Sequence, residues 1–235
     1  MALGVRLAGS LSVCALGVHL PAGEISESAI ARDTAAEQCL TSLQASLGRA
    51  WSDADGGGAG PCCATLEEHS LCVVLGDVNS RTAFQADAVI AVVEEHHRMQ
   101  RSVTPARRRS PKDGDADSGA DADAATPPAH TLAGLLEQFD EIVGGQAYWC
   151  TKGFCEATID FAPSYKFKPG TSKYDSKPSK PRAPSWCDRV LWRAAEGVDV
   201  VPLFYGATFD VMPSDHKPVG ALLSVALPAD APPSP

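Results

Sequence analysis

Residues 182–192 read Arg-Ala-Pro-Ser-Trp-Cys-Asp-Arg-Val-Leu-Trp, and no other stretch is as informative about the fold. Its last three residues form a short apolar run, which is typical of a buried strand. A related stretch precedes it, since residues 163–175 read Pro-Ser-Tyr-Lys-Phe-Lys-Pro-Gly-Thr-Ser-Lys-Tyr-Asp. Eight basic and two acidic residues lie between Ser164 and Arg193. A cationic, aromatic-bearing surface of this kind attracts a compact polyanion.

The rest of the chain is acidic, because the 235 residues together carry a formal net charge of -9. An acidic protein makes a poor general nucleic-acid binder, since affinity for nucleic acid comes mostly from neutralising phosphates. Hydrophobic residues make up 44% of the chain, which is enough to bury a core and excludes a wholly disordered chain. The length suits one large domain or two small ones.

Apolar periodicity predicts a mixture of strands and helices. The first residues favour a β-hairpin with strands 3–8 and 11–20 around a Gly9-Ser10 turn. A signal peptide is the alternative, but Arg6 stands alone and the Gly-Ser pair interrupts the apolar run. Helices are predicted at 24–49, 86–99 and 131–143. Further strands are predicted at 71–75, 157–161, 190–192, 198–203 and 220–227. Layers of strands flanked by helices are the natural packing for this mixture.

Two segments lack this periodicity. Residues 98–129 pass from a basic block to an acidic block in a low-complexity sequence, which predicts a disordered surface insertion. Residues 228–235 form a proline-rich tail that is predicted to be disordered. The eight cysteines have no CxxC spacing, so we expect free thiols in a reducing compartment. No segment has the uninterrupted apolar length of a membrane span.

Two short polar motifs carry the chemistry. Gly76-Asp-Val-Asn79 follows the predicted strand 71–75, and Pro213-Ser-Asp-His-Lys-Pro-Val219 precedes the last strand. A carboxylate and an amide two residues apart share one side of a strand and can hold a metal ion or a water molecule. A histidine beside an aspartate can donate a hydrogen bond to a phosphoryl oxygen. Each motif alone is also compatible with a plain turn.

Taken together and in this order, the four motifs resemble the catalytic domain of the inositol polyphosphate 5-phosphatases. That family belongs to the endonuclease/exonuclease/phosphatase superfamily, and the resemblance is nearly continuous over residues 152–223. It implies a deoxyribonuclease I-like, four-layer α/β sandwich that occupies residues 1–227. It also implies a phosphoric monoester hydrolase that removes the 5-phosphate of a phosphatidylinositol or a soluble inositol polyphosphate, with Mg²⁺ as cofactor.

The resemblance assigns roles to five polar residues. Asp77 and Asn79 are expected to handle the attacking water and the scissile phosphate. His216 is expected to contact the same phosphate, with Asp188 holding its ring in orientation. Asp215 is expected on the magnesium side of the site.

The substrate-binding residues implied by the resemblance are four side chains that grip the neighbouring 4-phosphate: Tyr165, Lys166, Lys180 and Arg182. His19 matches a family histidine that assists at the scissile phosphate, or else it is a hairpin-end residue with no role. The family also has a metal-binding glutamate near its N-terminus, and no residue of this chain matches it. We therefore expect the chain to correspond to the C-terminal two-thirds of the fold, N-terminally incomplete.

This absence leaves a second hypothesis open. The chain could be a catalytically inactive fragment that binds phosphoinositide headgroups or a protein partner. A nuclease of the same superfamily is a third hypothesis, and the overall acidity argues against it. We expect a monomer in the cytoplasm that can contact membranes peripherally and does not bind nucleic acid.

Overall fold

The computed structural model describes residues 2–6, 11–23, 26–54, 65–102, 131–145, 147–175 and 182–226. These residues form six strands and four helices. The elements in chain order are β1 (Ala2–Arg6), β2 (Ser12–His19), α1 (Ser26–Ala54), β3 (Leu71–Asp77), α2 (Ala86–Ser102), α3 (Leu132–Phe139), α4 (Tyr148–Thr151), β4 (Asp188–Ala194), β5 (Asp199–Ala207) and β6 (Val219–Ala226).

The larger sheet has four strands in the order β1-β2-β3-β4. β1 and β2 are antiparallel, which confirms the predicted hairpin strands, while the predicted turn at Gly9-Ser10 lies outside the described residues. β2 and β3 are parallel, with α1 in the connection between them, and β3 and β4 are antiparallel. The register places His19 beside Asp77, and Asp77 beside Asp188. Three of the predicted site residues therefore meet at one end of this sheet.

The smaller sheet is formed by β5 and β6, which are antiparallel with a bulge between Pro202 and Phe204. Both strands were predicted within a few residues of their observed ends. The buried Tyr205 of β5 packs in a core cluster with Trp186 and Val89, which joins this sheet to α2 and α3. Trp186 is completely buried, and its indole N–H donates to the carbonyl oxygen of Phe161 at 2.8 Å.

A second core cluster lies between the larger sheet and helices α1 and α4. Leu16 and Val74 from the sheet pack there with Leu40 of α1 and Trp149 of α4. Cys14 and Cys72 are buried neighbours on β2 and β3, and all six described cysteines are free thiols. Within the described part of the chain, no helix is long and apolar enough to cross a membrane.

The predicted strand at 157–161 is wrong. These residues form no strand, and the backbone carbonyl of Phe161 is bonded to a side chain instead of a neighbouring strand. Ile159 and Phe161 are buried while Thr158 and Asp160 are exposed, so the alternating pattern matches the burial although no strand forms. Helix α2 also extends to Ser102, into the segment predicted as an insertion; residues 103–129 and the tail 228–235 lie outside the described residues.

Helix α3 is shorter than the predicted helix 131–143, because Asp140 ends it. The Asp140 carboxylate accepts hydrogen bonds from the backbone N–H groups of Ile142 and Val143, both at 3.0 Å. Those bonds replace the helical ones with a turn. Asp140 also pairs with the fully buried Arg189, whose guanidinium donates 2.7 Å to Glu156 on its other side. This buried ionic network ties the end of α3 to the start of β4.

The start of α3 gives a stability prediction. The Thr131 hydroxyl accepts a hydrogen bond from the Gly134 backbone N–H at 3.0 Å, which is an N-cap. We expect T131A to lower the free energy of unfolding by about 1 kcal/mol, because the N–H loses its partner. Chemical denaturation measures this, and T131S, which keeps the hydroxyl, should remain close to wild type. Equal stability of T131A and wild type would contradict the cap.

Candidate active site

The site is built around the end of β3, where Asp77 lies between two histidines. The Asp77 Oδ2 atom is 3.4 Å from Nε2 of His19 and 3.9 Å from Nε2 of His216. The side chain of His19 is 79% exposed, whereas that of Asp77 is only 17% exposed. Asp77 is therefore a sheltered carboxylate that lies beside an exposed histidine.

His216 is held by Asp188 at the start of β4. Its Nδ1 atom is 2.9 Å from the Asp188 Oδ2 atom, which also accepts a hydrogen bond from the Ser164 hydroxyl at 2.7 Å. An ionised carboxylate only accepts hydrogen bonds, so the proton of this pair lies on Nδ1 and the Nε2 atom faces Asp77. Ser164 was not predicted as a site residue, although it directly precedes the predicted Tyr165.

Burial and neighbouring charges shift both titratable groups. Burial raises the pKa of Asp77, and the nearby Asp188 charge adds to this, although His216 partly opposes it. Burial alone would lower the pKa of His216, but the hydrogen bond and charge of Asp188, with the charges of Asp77 and Asp215, outweigh it and raise the pKa. The arrangement thus favours a protonated histidine beside a carboxylate that is easier to protonate than usual.

The His216 shift predicts a pH dependence of stability. A folded pKa above the usual 6.5 stabilises the fold at low pH, and that contribution is lost as pH rises through the folded pKa. We expect the difference in free energy of unfolding between wild type and H216Q to shrink as pH rises above about 6. Urea unfolding at several pH values measures it. Burial lowers the pKa of His69, so His69 alone would give the opposite pH trend. Both proteins contain His69, so its contribution cancels in the difference between their free energies of unfolding. A difference independent of pH would contradict the Asp188 contact.

Asn79 follows Asp77 in a tight turn with a left-handed backbone, φ 54°. Its backbone N–H donates to Asp77 Oδ1 at 2.9 Å, and its side-chain amide donates to the Leu20 carbonyl at 2.8 Å. The amide oxygen accepts from Arg81, and the whole side chain is buried. The structure therefore brings Asn79 to the site as a neighbour that holds Asp77, and its predicted role at the attacking water stays a prediction.

Tyr165 and Arg182 are brought together by a short bridge between the two halves of the basic segment. The backbone of Tyr165 exchanges two hydrogen bonds with Ser185, at 2.7 and 3.2 Å. Arg182 donates to the Tyr165 hydroxyl at 3.2 Å, and the tyrosine ring lies 4.6 Å from the His216 ring, centroid to centroid. Tyr165 therefore links Arg182 to the carboxylate–histidine cluster, which consists of Asp77, Asp188 and His216. Lys180 lies outside the described residues.

Lys166 and Asp215 face each other, with 3.8 Å between Nζ and Oδ2. The Phe167 backbone N–H donates to the Asp215 carbonyl at 2.9 Å, which fixes the two loops side by side. The neighbouring Lys217 is buried and donates to the carbonyls of Thr171 and Val211, at 3.1 and 3.0 Å. The sequence analysis did not identify Lys217 as a buried structural residue. The sequence signal that could have drawn attention to it is its position directly after His216.

The site contains a group of oxygen and nitrogen donor atoms of the kind that bind metal ions. Asp77, Asp188 and His216 each offer one atom, and these atoms lie within 4.8 Å of one another. Two carboxylates fit a divalent cation, and Mg²⁺ commonly takes one or two carboxylates together with substrate phosphates. Asp215, the predicted metal residue, is not part of this group among the described residues, and its role stays a prediction.

Comparisons with known proteins agree with this geometry. Residues 135–222 match the model of Endonuclease/Exonuclease/phosphatase family 2. Phosphatidylinositol polyphosphate 5-phosphatase type IV of Rattus norvegicus is 47% identical over 74 residues, which are 32% of this chain and 11% of the rat protein. Nitrophorin Cim l NP of Cimex lectularius is 34% identical over 98 residues, 42% of this chain and 31% of the nitrophorin.

A solved structure extends the likeness to most of the chain. The inositol polyphosphate 5-phosphatase domain of SPsynaptojanin, in complex with inositol (1,4)-bisphosphate and a calcium ion, superposes with a TM-score of 0.53. The superposition covers 92% of this chain and 48% of the solved chain, at 21% sequence identity. The predicted deoxyribonuclease I-like α/β sandwich is therefore confirmed as the fold.

Residues 135–222 thus resemble the endonuclease/exonuclease/phosphatase family 2, and the likeness of fold to the solved domain extends over most of the chain. The similarity to the rat phosphatidylinositol polyphosphate 5-phosphatase is confined to about a third of the chain. The chain spans about half the length of the solved domain and a much smaller part of the rat relative.

Proposed function

We propose that this domain hydrolyses the 5-phosphate of an inositol polyphosphate, either free or as the headgroup of a phosphatidylinositol. The observation that carries the proposal is the meeting of Asp77, Asp188 and His216 beside Tyr165 and Lys166. The solved relative supports the choice of substrate. Its ligand, inositol (1,4)-bisphosphate, is the product of removing the 5-phosphate from inositol 1,4,5-trisphosphate.

In this proposal Asp77 is the general base. Its Oδ2 atom accepts a proton from the attacking water while the water oxygen bonds to phosphorus and the phosphorus–ester oxygen bond breaks. The proton that Asp77 takes up passes afterwards to the leaving alkoxide or to solvent. Asn79 holds the other oxygen of Asp77 and so fixes the direction of the base.

His216 is the electrostatic partner. Protonated and held by Asp188, it directs Nε2–H toward the phosphoryl oxygens, where negative charge develops. Asp188 prevents the ring from turning and keeps it charged, and His19 borders the cluster from the exposed side. A Mg²⁺ ion held by Asp77 and Asp188 would supply further neutralisation of that charge.

The neighbouring basic residues give the regioselectivity in this proposal. Tyr165 packs on His216, Arg182 is bonded to the Tyr165 hydroxyl, and Lys166 faces Asp215. These three side chains fit a phosphate adjacent to the scissile one on the inositol ring. Arginine binds phosphate through two parallel donors, which suits recognition of a fixed neighbour. The same surface fits the headgroup at a membrane as well as a free inositol phosphate. We also propose that the protein acts as a monomer in the cytoplasm, with peripheral contact to membranes and no nucleic-acid substrate.

A second candidate is a binding protein without turnover. The observation in its favour is the nitrophorin relative, whose name is not that of a phosphatase although it is 34% identical over 98 residues. In that case the basic segment would bind inositol phosphates and the carboxylate–histidine cluster would not act on them.

Two assays on the same protein separate these candidates. The first measures release of inorganic phosphate from inositol 1,4,5-trisphosphate and from vesicles containing phosphatidylinositol 4,5-bisphosphate, with Mg²⁺ or with a chelator. The second measures binding of inositol (1,4)-bisphosphate by calorimetry. Turnover that depends on Mg²⁺ supports the phosphatase. Binding without any turnover overturns it in favour of the binding protein, and the vesicle and soluble substrates distinguish the two substrate sources.

A further inference from the structure

We propose that Arg81 is a positioning residue of this site, which fixes Asn79 and Tyr165 relative to each other. The inference rests on the proposed function for its kinetic consequences, but the contacts themselves do not depend on it. Arg81 is only 4% exposed, so its guanidinium acts on neighbouring side chains and not on a substrate. No motif of the sequence analysis assigned it a role.

The first contact is with Asn79. An Nη atom of Arg81 donates to the Asn79 side-chain oxygen, while the Asn79 side-chain nitrogen donates to Leu20 at 2.8 Å. The amide oxygen must face Arg81 and the amide nitrogen must face Leu20, so the two hydrogen bonds together fix the orientation of the amide. The Asn79 backbone in turn donates to Asp77 Oδ1 at 2.9 Å. Removing the guanidinium would leave a buried acceptor without this donor and allow the turn that holds Asp77 to relax.

The second contact is with Tyr165. The Arg81 guanidinium carbon is 4.7 Å from the centroid of the tyrosine ring, within the range of a cation–π contact. The same ring lies 4.6 Å from the His216 ring and receives Arg182 at its hydroxyl. One buried cation therefore touches the strand end that carries Asp77 and the loop that carries the aromatic neighbour of His216.

The guanidinium suits this double contact better than an ammonium group. It is planar, so it can lie against an aromatic ring while its N–H groups donate in its own plane. The ammonium of a lysine can satisfy the Asn79 oxygen but lacks the flat surface for the ring. R81K therefore tests the arrangement without removing the charge.

A matched control is Arg32, which is also 4% exposed and pairs with Glu141 and the Gly23 carbonyl. Within the described part of the chain, its side-chain hydrogen bonds reach only Glu141 and Gly23, and none reaches Asp77, Asp188 or His216. We expect R81K and R32K to have similar small effects on the melting temperature. Only R81K should move the NMR signals of the Asn79 side-chain amide, and only R81K should lower kcat, by about 10-fold, a loss typical of a positioning partner.

A double-mutant cycle with N79G identifies the route of the effect. Glycine tolerates the left-handed backbone at position 79, so this variant removes the amide without strain. If Arg81 acts through Asn79, R81K has much less effect on kcat in the N79G background than in wild type. Full additivity, or an Asn79 amide signal unchanged by R81K, overturns the inference. If wild type shows no turnover, the proposed function fails, while the NMR signals still decide for or against the Arg81 contact.

Discussion

D77N should lower kcat for 5-phosphate release by at least about 100-fold, the usual minimum for loss of a general base. The amide is the same size as the carboxylate, so the packing at the end of β3 is preserved. It cannot accept the proton from the attacking water, and it removes the negative charge between His19 and His216. Steady-state kinetics with inositol 1,4,5-trisphosphate and Mg²⁺ measures the loss.

D199N is the matched control, because Asp199 is an exposed carboxylate at the start of β5. It makes the same chemical change outside the carboxylate–histidine cluster and should leave kcat unchanged. Near-ultraviolet circular dichroism establishes that D77N keeps its packing. A folded D77N with a kcat within a few-fold of wild type would contradict the role of Asp77.

D188N should lower kcat by about 10- to 100-fold, the usual effect of removing a residue that orients a catalytic group. Asp188 supplies the hydrogen bond and the largest charge contribution that raise the pKa of His216. Without them the burial of the ring is opposed only by the charges of Asp77 and Asp215, so the His216 pKa should fall. The alkaline limb of the pH–activity profile, where the required protonated histidine is lost, should shift to lower pH accordingly.

NMR titration of the His216 ring protons measures this pKa directly. S164A is a milder change for comparison. It removes only the hydroxyl that donates to the Asp188 oxygen bonded to His216. We expect its effect on the His216 pKa to be smaller than that of D188N. An unchanged His216 pKa in D188N would show that the two side chains do not interact in solution.

The local patterns of the sequence predicted the strands that position the site. The apolar run at 71–75 predicted most of β3, and the short run ending at Trp192 predicted the middle of β4. The register of β2, β3 and β4 then brings His19, Asp77 and Asp188 side by side. That juxtaposition involves residues far apart in the chain, so no local pattern could give it, and it entered through the family resemblance.

The residues that hold the site together could not be predicted in the same way. Arg189 and Arg81 look like surface cations in a basic segment and after a turn, yet both are buried. Their partners, Asp140, Glu156 and Tyr165, are distant in sequence. Burial of a charge depends on partners that only the tertiary structure supplies, so composition and periodicity do not reveal it.

The central claim is that the cluster of Asp77, Asp188 and His216 removes one particular phosphate. A ³¹P NMR time course of wild type and D77N with inositol 1,4,5-trisphosphate and Mg²⁺ tests it most directly. We predict that wild type converts the 5-phosphate signal to inorganic phosphate, leaving inositol 1,4-bisphosphate, while D77N leaves the spectrum unchanged over the same time. Release of a different phosphate, no release by wild type, or equal release by both proteins would contradict the account.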